Sequence, residues 1–152
     1  MRCGPCSVSP APMLIVLDTN AVLSAQPWRG TPHALLHGIL RREHNLLFSS
    51  PALLEELGSV LTRPAPARRL AMIGRSAAEV LADYVDAVEL VIPIATPTVV
   101  AADADDDKVV AAAVAADADL LISGDHHLLT LGSHGSIAIV NPTTASHILD
   151  LT

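Results

Sequence analysis

The sequence predicts an α/β fold in which a parallel sheet is covered by helices on both faces. From residue 13 onwards, short apolar runs alternate with segments whose apolar residues recur at helical spacing. Parallel strands need crossover connections, which helices provide. Because ligands bind such sheets outside the carboxyl ends of the strands, the residues that directly follow each strand are the first candidates for function.

Five short segments are predicted to be strands, because each is a run of apolar residues bounded by polar or turn-forming residues. In chain order they cover residues 13–17, 45–48, 88–92, 120–123 and 137–140. The first of them, with the sequence MLIVL, has no polar position. This is typical of a strand that is buried on both faces of a parallel sheet.

Most segments between these strands are predicted to be helical. Pro64 and Pro66 are expected to end the second helix, and Ser76 with Glu79 forms a capping-box sequence after a break near Gly74. The predicted helices cover residues 31–43, 51–61, 67–88 (as one or two helices), 108–116, 126–131 and 143–149. A loop is expected after the first strand and another over residues 95–102.

A single domain over residues 13–150 is expected, because a chain of 152 residues suits one hydrophobic core. Residues 1–12 are predicted to be a disordered leader or an upstream start. Cys3 and Cys6 lie there among prolines with no strand before them, unlike the cysteine pair of a redox centre. The apolar runs fall short of the ~20 residues of a membrane span, and no secretory signal is present, so we expect a cytoplasmic protein without membrane attachment.

The formal net charge of −7 argues against a protein that coats nucleic acid with a broad basic surface, because such proteins neutralise many phosphates. A nuclease is still compatible with this charge. A pocket of acidic side chains attracts divalent cations, and a bound cation reverses the sign of charge that an approaching phosphate meets.

Acidic side chains follow two of the predicted strands. Asp18 directly follows the first strand and Asp125 lies just beyond the fourth, so a parallel sheet would bring both to one edge. One acid of the block 103–107, and either Glu55 or Glu56, are placed to join them. Four carboxylates in one cleft repel each other unless a cation lies between them, which predicts a site for Mg²⁺ or Mn²⁺.

Other kinds of site find little support in the sequence. The histidines lack the spacing of zinc ligands, although His126 and His127 stand where they can contact a phosphate. No glycine-rich loop for nucleotide phosphates and no pairing of a serine with a base are present.

Four segments resemble, in order and spacing, the PIN-domain family, and in particular its toxin subgroup from toxin–antitoxin pairs. They are LIVLDTNAVLSA, SSPALLEEL, DADDDKVVAAAVAADADLLISGDHHLL and IVNPTTASHIL. The resemblance implies a three-layer α/β/α sandwich with a central parallel sheet and a ribonuclease that depends on Mg²⁺ or Mn²⁺. It also implies an RNA substrate, hydrolysis to 5′-phosphate and 3′-hydroxyl ends, a cognate antitoxin protein and a homodimer.

The resemblance assigns roles to seven residues. The acids that bind metal and catalyse are Asp18, Glu56, Asp106 and Asp125, and the supporting residues are Asn20, Ser123 and Asp107. Asp107 stands where the family often has Asn, so the choice between Asp106 and Asp107 as the ligand stays open.

Two other functions are compatible with parts of this pattern. A phosphatase of the haloacid-dehalogenase type also places an Asp after an apolar strand, but it needs a second Asp two residues later, where this chain has Asn20. The other rival is a PIN fold that binds RNA or a protein partner without cutting RNA.

Overall fold

The computed structural model describes residues 13–25, 45–72, 74–94 and 104–149. The leader at residues 1–12, the helix predicted over residues 31–43 and the loop predicted over residues 95–102 lie outside these ranges.

Within the described residues, six strands form one sheet. They are β1 (Met13–Leu17), β2 (Asn45–Ser49), β3 (Glu89–Leu90), β4 (Leu120–Ile122), β5 (Ser133–His134) and β6 (Ile137–Val140). The strand order is β3-β2-β1-β4-β6-β5, and every neighbouring pair is parallel except β5 with β6. The predicted α/β class is therefore confirmed, with one antiparallel strand at an edge of the sheet.

The described ranges contain seven helices. They are α1 (Thr19–Ala25), α2 (Pro51–Leu61), α3 (Pro64–Met72), α4 (Ala77–Ala87), α5 (Ala104–Ala116), α6 (His126–Leu131) and α7 (Pro142–Ile148). None of them has the length and apolar character needed to span a bilayer.

The helices cover both faces of the sheet, as the alternation of side chains along β1 makes clear. Ile15 and Leu17 pack in one core cluster with residues of α2 and α4. Val16, between them, packs in a second cluster with residues of α5 and α6. Successive side chains of a strand point to opposite faces, so the two clusters form the two interfaces of a three-layer fold.

The predicted starts of two helices are confirmed. Ser50 caps α2 by accepting a hydrogen bond from the backbone N–H of Leu53 at 3.3 Å. Ser76 and Glu79 form the predicted capping box at the start of α4, with hydrogen bonds in both directions.

Other boundaries differ from the prediction. The expected loop after β1 begins with helix α1, and α3 begins at Pro64 rather than after Pro66. Proline is tolerated in a first helical turn, where its missing N–H has no helical partner to lose. Helix α5 begins at Ala104, four residues before the predicted start at Lys108, and this places Asp106 and Asp107 inside its first turn, where the helix dipole favours acidic residues.

The predicted third and fourth strands are shorter in the structure. β3 contains only two of the five residues predicted, and Ser123 lies just beyond the end of β4. β5, which was not predicted, is a two-residue strand that turns back onto β6 through Gly135 at φ 60°. Two residues carry no detectable periodicity, so the sequence pattern could not indicate this strand.

Candidate active site

Four acidic side chains line one pocket at the carboxyl ends of β1 and β4. They come from separate elements, since Asp18 follows β1, Asp125 follows β4, Glu56 lies on α2 and Asp106 lies in α5. The pocket has a volume of about 160 Å³, and its lining consists of Asp18, Thr19, Asn20, Glu56, Val60, Arg63, Asp106 and Asp125. The structure thus brings together the four acids that the resemblance singled out.

The pairing of β1 with β4 sets the position of Asp18. Leu17 lies opposite Ile122 in the parallel register, and the backbone N–H of Asp18 donates to the Ile122 carbonyl at 2.9 Å. The Ser123 hydroxyl then donates to Asp18 Oδ2 at 2.7 Å and accepts from the backbone N–H of Asp125 at 2.9 Å. Ser123, fully buried, therefore connects the acids that follow the two strands.

The amphipathic character of α2 determines which glutamate reaches the pocket. Leu53 and Leu57 are buried, and Glu56 is half-buried beside them, whereas Glu55 is exposed and is not part of the lining. The Thr19 hydroxyl donates to Glu56 Oε2 at 3.0 Å, which holds this carboxylate near the carboxyl end of β1. Of the two candidates left open by the sequence, Glu56 faces the pocket.

Asp106 and Asp107 are both buried at the start of α5, but only Asp106 lines the pocket. Successive residues of a helix point about 100° apart, so the two carboxylates cannot face the same cavity.

Asp125 begins the short helix α6. Its Oδ1 atom accepts a hydrogen bond from the backbone N–H of His127 at 2.7 Å, as an N-cap residue does. This cap directs the Asp125 carboxylate back towards the pocket and towards Asp106. The ligand atoms of Asp106, Asp125 and His127 all lie within 4.8 Å of one another.

The pocket also contains residues that the sequence patterns did not assign to it. Arg63 lines it from the segment between α2 and α3, and Val60 lines it one turn after Glu56. Arg63 is the first of four arginines that follow Glu56 in the sequence, the others being Arg68, Arg69 and Arg75. Helical spacing could have placed Val60, four residues after Glu56 on α2, on the same face, whereas Arg63 lies beyond the end of this helix.

Burial raises the pKa of the Asp18 carboxyl above its ordinary value. The hydrogen bond from Ser123 and those from the backbone of Thr19 and Asn20 oppose this rise, and the Asp125 carboxylate adds to it. Desolvation is the largest of these causes, so the net effect is a rise in pKa.

Comparison with known families agrees with this geometry. A family model described as "PIN domain" matches residues 14–127. The chain belongs to the PIN domain family. The matched range includes all four acids that line the pocket. No curated protein sequence matches the chain significantly.

PIN domains are typically nucleases and usually use a divalent metal ion. The donor set of the pocket fits such an ion, because hard cations prefer carboxylate oxygens and this pocket offers four carboxylates. In addition, the polar groups of Thr19 and Asn20 line the pocket beside Asp18. Asn20 occupies the position at which a haloacid-dehalogenase phosphatase would need an acid.

Removing the buried charge of Asp18 should stabilise the metal-free protein. A carboxyl whose pKa is raised by folding holds its proton more tightly in the folded state. The folded state therefore gains stability as the pH falls through the window from the raised to the ordinary pKa, and loses it as the pH rises. Asp18→Asn should raise the melting temperature in EDTA at neutral pH, and this gain should shrink as the pH is lowered through that window.

Asp86→Asn is the control for this measurement, because Asp86 is an exposed carboxylate on α4 that does not line the pocket. The Asp86→Asn substitution should change the free energy of unfolding by no more than about 0.5 kcal/mol. A lower melting temperature for Asp18→Asn at neutral pH would contradict the assignment of an unfavourable buried charge.

Proposed function

We propose that this protein is an endoribonuclease that depends on Mg²⁺ or Mn²⁺ and hydrolyses RNA to 5′-phosphate and 3′-hydroxyl ends. The proposal rests on one observation, that one pocket of a PIN domain is lined by Asp18, Glu56, Asp106 and Asp125. These acids are far apart in the sequence. Carboxylates crowded in this way repel one another, and a bound divalent cation would offset the repulsion.

In this proposal the four acids hold the metal. When bound, such an ion lowers the pKa of a coordinated water and offsets charge on the scissile phosphate. Ser123 keeps the Asp18 carboxylate oriented through its 2.7 Å hydrogen bond, and Thr19 does the same for Glu56 at 3.0 Å. These hydrogen bonds preorganise the ligands, so little rearrangement is needed when substrate arrives.

Cleavage of a mixed RNA panel is the direct test of the activity. Cleavage should require Mg²⁺ or Mn²⁺, stop in EDTA and yield 5′-phosphate ends. Asp18→Asn and Glu56→Gln should each reduce the rate roughly a hundredfold or more, which corresponds to about 3 kcal/mol of transition-state stabilisation. Each substitution removes a charged ligand while preserving the shape of the side chain.

Glu55→Gln is the matched control for Glu56→Gln, because the two residues are neighbours on α2 and Glu55 is exposed outside the pocket. It should retain the wild-type rate. Full activity in EDTA would contradict the proposed dependence on a metal ion. A protein that binds the metal and RNA but cleaves no RNA of the panel would be a binding module instead.

Arg63 is proposed to contact a substrate phosphate at the edge of the pocket, because it is an exposed cation among acids. Arg63→Gln should raise KM for RNA about tenfold, the loss expected for a hydrogen bond to a charged group. Arg68→Gln, at an exposed position on α3 outside the pocket lining, is the control and should change KM little. Equal effects of the two substitutions would indicate a general contribution of positive charge instead.

We further propose that the protein is a toxin that acts in the cytoplasm as a homodimer and is neutralised by a cognate antitoxin protein. This rests on the resemblance to the toxin subgroup. Expression of the chain alone should arrest growth, Asp18→Asn should abolish the arrest, and co-expression with the neighbouring gene should restore growth. Unimpaired growth while active nuclease accumulates would eliminate the toxin role.

A further inference from the structure

The imidazole of His127 lies beside two of the four acids in the pocket. Its Nδ1 atom is 3.6 Å from Asp125 Oδ1 and 3.9 Å from Asp106 Oδ2. The Asp106 side chain is 6% exposed and that of His127 is 53% exposed, so the ring lies on the solvent side of Asp106. His127 therefore adds a nitrogen donor to a site whose other candidate donors are oxygens.

These separations suit ligands of one metal ion. Two atoms that each lie about 2.1 Å from the same ion are at most about 4.2 Å apart, because that is the distance across the ion. Both distances from His127 Nδ1 fall inside this limit. The backbone hydrogen bond from His127 to Asp125 ties the two residues together at the start of α6.

A nitrogen donor changes which cation a carboxylate site prefers. Mg²⁺ prefers oxygen ligands and dehydrates reluctantly. Imidazole suits transition metals, whose affinity for mixed nitrogen and oxygen sites rises from Mn²⁺ towards Cu²⁺. A site with carboxylates alone would not distinguish Mg²⁺ from Mn²⁺ in this way.

We infer that His127 is a ligand of the metal held by Asp106 and Asp125, and that it makes the site selective for Mn²⁺ and related transition metals over Mg²⁺. The inference rests on the proposed metal-dependent function. It assigns the preference to one side chain that stands two residues after Asp125.

The competing explanation is an ion pair. A protonated imidazole could offset part of the charge of Asp106 and Asp125 without ever binding a metal. The two explanations predict different effects of removing the His127 side chain on metal affinity. Removal of a ligand weakens metal binding, whereas removal of a competing cation strengthens it or leaves it unchanged.

The experiment measures Mn²⁺ and Mg²⁺ binding to the full chain by calorimetry. Wild type should bind Mn²⁺ more tightly than Mg²⁺. His127→Ala should weaken Mn²⁺ binding at least about tenfold, because even groups that only support a ligand contribute about 10–100-fold to metal affinity. His127→Asp should restore binding but with a smaller preference for Mn²⁺, since it supplies oxygen instead of nitrogen.

His126→Ala is the matched control. The His126 ring is the neighbour of His127 on α6, with 6.1 Å between ring centroids, but it is not part of the group formed by Asp106, Asp125 and His127. The Mn²⁺ affinity of the His126→Ala variant should equal that of wild type. Spin-echo spectroscopy of bound Mn²⁺ provides a second readout, because a coordinated imidazole produces ¹⁴N modulation that His127→Ala should lose.

The outcomes separate this inference from the proposed function. Unchanged or tighter Mn²⁺ binding by His127→Ala, or wild-type protein without ¹⁴N modulation, would overturn the role of His127 alone. Wild-type protein that binds neither metal would overturn both. If His127→Ala loses Mn²⁺ but wild type cleaves no RNA, the ligand assignment stands and the nuclease proposal fails.

Discussion

The parallel pairing of β1 with β4 is the constraint on which the candidate active site depends. It places Asp18 and Ser123 side by side just beyond the strand ends, and through Ser123 it also positions Asp125. A shift of register by one residue would turn the side chains of β1 to the opposite faces of the sheet, exchanging the clusters in which Ile15 and Val16 pack. The same burial that stabilises the core therefore also fixes the geometry of the acids.

The pocket has an electrostatic cost that the fold only partly offsets. Hydrogen bonds from Ser123 and from the backbone favour the ionised form of Asp18, yet desolvation outweighs them and raises its pKa. An apolar side chain in place of Asp18 would carry no such penalty, so this acid is difficult to explain by stability alone. Natural proteins keep such unfavourable arrangements where binding or catalysis requires them, and a divalent cation is the partner that would reverse the cost.

The sequence could predict what depends on local patterns. The apolar runs of β1 and β6 and the capping residues of α2 and α4 act within a few residues, and these elements were predicted closely. The short helix α1 packs against α2, and the two-residue strand β5 pairs with β6. Such contacts between separate elements are not contained in a local pattern. In the site, Asp18 and Asp125 could be found from the strand ends. The choice of Glu56 over Glu55, and the approach of His127 to Asp106, depend on the rotation and contacts of helices in three dimensions.

The charge of the chain constrains how it could bind RNA. With a net charge of −7, and with Arg63 as the only basic side chain among the described residues of the pocket lining, the metal-free pocket would repel a phosphate. Binding of a cation and binding of substrate are then linked, because each reduces the electrostatic penalty of the other. By thermodynamic reciprocity, the bound cation raises the affinity for substrate by the same factor by which bound substrate raises the affinity for the cation. Under the proposed function, the metal is part of the substrate-binding surface as well as of the chemistry. The residues that choose the metal, His127 among them, would therefore also influence how tightly RNA is held.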